Sequence, residues 1–199
     1  MTGFIESFFK DLQSALESVG CTDARGEMLT RDEAYARVLE MAVAAAHAGS
    51  KQIFIGNGGS AAIASHMAID FSKNGGLPAV CFNDGATLTC LSNDYGYEEV
   101  FSRQIGYYAH KGDVLFAISS SGTSKNILKA VDAALAKGCR IVTLSGFSPA
   151  NSLRKMGEVN FHIAVNQYGI VEVAHTALIH AVVELKRAAG ESALAQAAN

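Results

Sequence analysis

Short runs that are apolar throughout, alternating with segments of helical periodicity, are the feature that most constrains what this chain can fold into. Asp113-Val-Leu-Phe-Ala-Ile-Ser119 is nearly continuous in apolar character. Gln52-Ile-Phe-Ile-Gly56, Leu77 to Phe82, Arg140 to Leu144 and Phe161 to Val165 read as further short strands. Between and after them, Ser60 to Lys73, Glu98 to Ala109, Thr123 to Lys137 and Gly169 to Lys186 read as helices, the third closed by Gly138. A strand with no polar face must be covered on both sides. Alternation with helices makes neighbouring strands parallel, joined by right-handed crossovers. The predicted fold class is therefore α/β: a three-layer αβα sandwich on a five-stranded parallel sheet.

Two helices are predicted ahead of this pattern. Phe4, Ile5, Phe8, Phe9, Leu12 and Leu16 recur at helical spacing. Thr30 to Ala48 forms a second helix, with Thr30 as N-cap and Glu33 completing a capping box. Val38, Leu39, Met41, Ala42, Val43 and Ala45 make this helix apolar nearly all round, so it wants burial on more than one side. The expected organisation is an N-terminal helical block at 1–48 for packing or oligomerisation, one α/β domain at 49–187, and an Ala-rich tail at 188–199 that frays.

The chain is 49% hydrophobic and 18% charged, with net charge −3 and no basic run, which argues against a nucleic-acid partner. Cys21, Cys81, Cys90 and Cys139 form no CxxC pair and are expected to be reduced thiols buried as small core residues. The N-terminal segment lacks a basic n-region and is broken by Glu6, Lys10, Asp11 and Glu17, unlike a signal peptide. No uncharged apolar run is long enough to span a bilayer. A soluble, cytoplasmic protein with no membrane partner is predicted.

In a parallel sheet, ligands sit beyond the carboxyl ends of the strands. That rule selects Gly56 to Ser60, Ser119 to Ser124 and Leu144 to Ser148. Ser119, Ser120, Ser121, Thr123 and Ser124 put five hydroxyl residues in six positions between a strand and a helix. Unpaired amides at the helix start and the helix dipole favour an anion there, and hydroxyls add neutral donors. A phosphate monoester fits. Ordinary N-capping uses a single hydroxyl and does not account for five. Gly56-Asn57-Gly58-Gly59-Ser60 is neither a Walker loop nor GxGxxG, but at the same sheet edge it makes a second wall of one pocket. His66 and Asp70 share a helix face at i, i+4, and Glu172 and His180 roughly share one on the last helix. Two histidines and two carboxylates suit a divalent metal such as zinc.

GNGGSAAIASH, LSNDYGYEEVF, KGDVLFAISSSGTSKNILKAV and EVAHTALIH together resemble the sugar-isomerase (SIS) domain, and within it the phosphoheptose isomerases. These convert sedoheptulose 7-phosphate to D-glycero-D-manno-heptose 7-phosphate. The resemblance implies that Ser119, Ser121 and Ser124, with Ser120 in the same turn, hold the sugar phosphate. It implies that Asn57, Ser60, Asn93 and Asp94 line the sugar pocket, next to Gly58 and Gly59. The family's zinc ligands, His, Glu, Gln and His, fall on His66, Asp70, Glu172 and His180, two of which depart from the family pattern. The family's arginine after the first carboxylate is absent from Phe71-Ser-Lys-Asn-Gly75. The resemblance further implies a homotetramer and an enediol isomerisation in which Asp70 and His180 move the proton, with His175 as a reserve base. An isomerase acting on another phosphosugar, and a non-catalytic SIS adaptor resembling the replication-initiator-associating proteins, are the alternatives.

Overall fold

The computed structural model describes residues 2–197. It opens with α1 (Thr2–Glu17), the strands β1 (Gly20–Asp23) and β2 (Met28–Leu29), and α2 (Arg31–His47). Thr30 caps α2 as expected: the Glu33 amide donates to its hydroxyl at 3.2 Å, and the Glu33 carboxylate accepts from the Thr30 amide at 2.8 Å. Then follow β3 (Gln52–Gly56), α3 (Gly59–Lys73), β4 (Ala79–Cys81), α4 (Gly85–Tyr95), α5 (Val100–Tyr108), β5 (Val114–Ser119), α6 (Lys125–Ala136), β6 (Arg140–Gly146), β7 (Val159–Ile163) and α7 (Tyr168–Ala197).

The sheet has seven strands in the order β2-β1-β7-β6-β5-β3-β4, not the five expected. β4, β3, β5, β6 and β7 are parallel and correspond to the expected strands. The additional pair is an antiparallel hairpin that extends the edge through β1 against β7. Its strands are too short to carry a periodic signal, and only Cys21 and Thr22 of β1 are buried. The turn is made by Asp23, whose carboxylate accepts from the amides of Arg25 and Glu27, and by Gly26 at φ +82°. The N-terminal block therefore contributes to the sheet itself.

Alternate residues of each central strand face opposite layers. Phe54 and Phe116 point to the face covered by α2, α3 and α7, where they stack at 4.6 Å and meet Phe71 edge-on. Ile53, Ile55, Leu115 and Ala117 point to the other face, covered by α5 and α6. α4 escaped the sequence reading because it buries only Leu91 and so has no apolar stripe. α7 continues past Lys186 as far as Ala197; the remaining tail positions, 198–199, lie outside the described residues. Tyr168–Gly190 is long and apolar enough to span a bilayer by length and composition. Its composition reflects a core helix: Ile170, Val171, Ala174, Leu178, Ile179, Val182 and Val183 are buried in this fold. Cys21 and Cys139 are buried free thiols, pushed up to about 11 by desolvation. Cys81 is only half-buried and Cys90 is exposed on α4, which corrects the expectation for those two.

Candidate active site

The loops after β3 and β5 converge at one sheet edge. Asn57, Ser60, Ile118, Ser119, Ser120, Ser121, Ser124, Tyr168 and Glu172 line a cleft of about 120 Å³. The starts of α3 and α6 both reach it. Neither helix has a side-chain cap at its N-cap residue, Gly58 or Ser124. The Ser124 hydroxyl instead accepts from that of Ser119 at 3.3 Å, and Ser119 also accepts from the Gly122 amide. Ser120 Oγ is buried without a hydrogen-bond partner. Helix-start amides and an uncommitted buried hydroxyl leave donors for an incoming anion.

Backbone sterics fix this geometry. A Cβ at Gly59 would collide with the Glu172 carboxylate, which therefore lies directly on the start of α3. Gly122 turns the serine loop at φ +64°, and a Cβ there would run into the Asn151 side chain. Asn57 closes one side: its amide pairs reciprocally with Asn126 at 2.9 Å and accepts from the Tyr97 hydroxyl at 2.9 Å.

Farther along α3 and α7 lies a second group. His66, Asp70 and His180 each offer a ligand atom, all within 4.8 Å of one another. His180 Nε2 is 2.9 Å and His66 Nε2 3.7 Å from Asp70 Oδ2, while Asp70 Oδ1 accepts from Asn74 at 2.6 Å. Two imidazoles and one carboxylate are the donor set of a three-ligand metal centre with an open position.

Residues 23–146 match the SIS domain family. The chain belongs to the SIS domain family. Relatives of this SIS domain include the phosphoheptose isomerases of Sodalis glossinidius and Serratia proteamaculans, each 39% identical over 146 residues, covering 69% of this chain and 74% of theirs. The solved phosphoheptose isomerase of Neisseria gonorrhoeae superimposes with a TM-score of 0.78 at 28% identity, covering 93% of this chain and 96% of that one.

Within this SIS domain, the structure brings Asn57, Ser60, Ser119, Ser120, Ser121, Ser124 and Glu172 into one cleft, with Gly58 and Gly59 starting the helix beside it. It does not assemble the expected four-residue metal set. Glu172 stands apart from His66, Asp70 and His180, because eight residues of helix separate it from His180 by about 12 Å of axial rise. A shared helix face did not mean a shared point. Asn93 and Asp94 are exposed on the last turn of α4, outside the cleft, where Asn93 donates to Asp94. Asn126, Tyr97 and Tyr168 were missed by the sequence reading. Of these, only Tyr168 carried a signal, sitting one helical turn before Glu172.

His175 is not a reserve base: it is fully buried, with Nε2 3.1 Å from the Ser145 carbonyl. His162 is buried nearby, its Nδ1 3.3 Å from the Ser145 hydroxyl. Desolvation lowers both to about 4. The fold holds them neutral, while the unfolded chain takes up protons near the ordinary value of 6.5. Their stabilisation is thus complete above about pH 6.5 and is lost as pH falls towards 4. Each histidine costs about 1.4 kcal/mol per pH unit in that window. Thermal melts should be level from pH 7 to 8 and drop steeply below 6.5; a melting temperature constant down to pH 4.5 would contradict this.

Proposed function

We infer that the chain is a phosphosugar aldose–ketose isomerase that converts sedoheptulose 7-phosphate to D-glycero-D-manno-heptose 7-phosphate. The observation that carries this reading is the pairing of two chemistries on the same two helices. A hydroxyl-rich anion cleft sits at their start, and a His/Asp group lies farther along. A 7-phosphate and the reacting C1 and C2 are likewise at opposite ends of an open-chain heptose. Relatives named phosphoheptose isomerase support the choice of substrate.

The serine turn and the α6 amides would bind the phosphate. Glu172 can only accept hydrogen bonds when ionised, so it faces sugar hydroxyls rather than the phosphate. Asp70 and His180 are the proton-transfer pair. One takes a proton from C1 of the ketose as O2 is protonated, giving the cis-enediol. The proton is then delivered to C2 as the O1 hydroxyl loses its own, leaving the aldehyde at C1. His66, Asp70 and His180 would hold zinc, which when bound would supply polarisation of the carbonyl oxygen, and Asp70 or His180 would have to be free of the ion to carry a proton. Exposed Phe4, Ile5 and Phe9 on α1, at 71%, 58% and 63%, support self-association into a tetramer.

A thermal-shift titration tests the cleft. Sedoheptulose 7-phosphate should raise the melting temperature, since a ligand that binds only the native state stabilises it. Ser121→Ala, at a half-buried turn position, should leave the unliganded melt unchanged and weaken binding about tenfold by calorimetry. Equal affinity in the two proteins would remove the serine turn from phosphate binding.

A further inference from the structure

We propose that Tyr168 is a substrate-contacting residue: its phenol closes the open side of the serine-turn cleft and donates to the phosphate, held there by Phe147. This rests on the reading of the cleft as the phosphate site and adds a contact to it.

Tyr168 begins α7 one turn before Glu172, so the two share a helix face. It lines the cleft together with Ser119, Ser120, Ser121 and Ser124. Its side chain is nevertheless 62% exposed, and its hydroxyl has no hydrogen bond among the described residues. An aromatic ring left on the rim with a free donor invites a ligand rather than a core role. Glu172 and Ile118 apart, the lining supplies neutral polar groups and no cation, and a phenol continues that pattern.

The ring is fixed from behind. Phe147 meets Tyr168 edge-on, with centroids 4.8 Å apart and planes at 85°. Phe147 stands at φ +56° and is the one non-glycine residue with positive φ among those described. A phenylalanine gains nothing from that conformation, since it has no polar side chain to bond its own backbone. The strained position is locked on both sides. The Gly146 amide donates to the Ser120 carbonyl at 2.9 Å, inside the serine turn, and the Phe147 amide donates to the Val165 carbonyl at 3.3 Å. A Cβ at Gly146 would crowd Val171 and the Ser120 carbonyl, so the loop packs directly against the turn. Strain kept next to a ligand cleft, and used to aim a ring over it, marks Phe147 as a positioning residue for Tyr168.

Steady-state kinetics on the full chain test this, with sedoheptulose 7-phosphate as substrate and inorganic phosphate as competitive inhibitor. Tyr168→Phe should raise KM and the phosphate inhibition constant together, each about tenfold, with kcat within twofold. Tyr168 is exposed, so the fold should survive both this change and Tyr168→Ala. Phe147→Gly, which relieves the backbone strain but removes the supporting ring and its packing on the core, should raise KM severalfold. Phe147→Tyr, which keeps the ring, should restore KM. An unchanged KM in both Tyr168 variants overturns the inference, as does a raised KM with an unchanged phosphate inhibition constant. Ser121→Ala serves as the reference. If it weakens phosphate binding and Tyr168→Phe does not, this inference alone fails. If neither does, the phosphate cleft fails with it.

Discussion

Replacing His180 by glutamine is expected to lower kcat by roughly 10²- to 10⁴-fold, the range that a positioned acid–base group contributes. Phosphosugar affinity should stay within about threefold, because His180 lies about two helical turns beyond the cleft proposed to hold the phosphate. The side chain is 37% exposed and glutamine keeps its polarity, so stability should be little changed. The loss follows from geometry. His180 Nε2 is 2.9 Å from Asp70 Oδ2, and the other Asp70 oxygen is already taken by Asn74. Removing the imidazole takes away the closer of the two histidines beside Asp70 Oδ2, leaving His66 Nε2 at 3.7 Å as the poorer route for a proton between adjacent carbons. Zinc content per chain, measured on the same variant, separates lost proton transfer from lost ligation. A kcat equal to that of the unmodified protein would take His180 out of the chemistry.

Gly122→Ala is expected to damage binding and stability together. At φ +64° an alanine is strained, and its Cβ would be driven into Asn151. Asn151 cannot yield freely: it is buried, and its amide donates to Ser145 Oγ, the Gly146 carbonyl and the Ser148 carbonyl. Strain and overpacking together should cost roughly 2–4 kcal/mol. For a chain of this size that lowers the melting temperature by roughly 10 °C. The Leu153 amide is bonded to the Gly122 carbonyl, so the turn would shift with its glycine. KM should rise at least about tenfold as the serine hydroxyls move off the phosphate. A melting temperature and a KM both equal to wild type would mean that the turn is not held by this contact.

The fold and the grouping of the serine turn with Asn57 and Ser60 in one cleft were readable for the same physical reason. Apolar strands such as Val114–Ser119 must be buried on both faces, and the edge rule then places their following loops together. Ser119 to Ser124 needed no tertiary knowledge to be singled out. What stayed hidden depends on contacts between distant segments. The β1–β2 hairpin has no periodicity of its own and exists because β7 offers an edge. The reciprocal Asn57–Asn126 pair joins residues that no spacing rule connects. Within one chain the expected metal set comes together only in part, because helical phase does not fix helical rise. Phase put Glu172 on the face of His180, and rise carried it to the start of α3 instead. His175 shows the converse: a histidine beside candidate ligands in sequence is turned inward onto the Ser145 carbonyl.

The isomerase reading is tested most directly by proton NMR of sedoheptulose 7-phosphate incubated with the purified full chain in D₂O, with and without added zinc. An enediol route draws the proton for C2 from a group that exchanges with solvent. The prediction is an equilibrium mixture containing D-glycero-D-manno-heptose 7-phosphate with deuterium at C2. A ketose that stays unconverted and free of deuterium under both conditions, at enzyme concentrations equal to substrate, would contradict it.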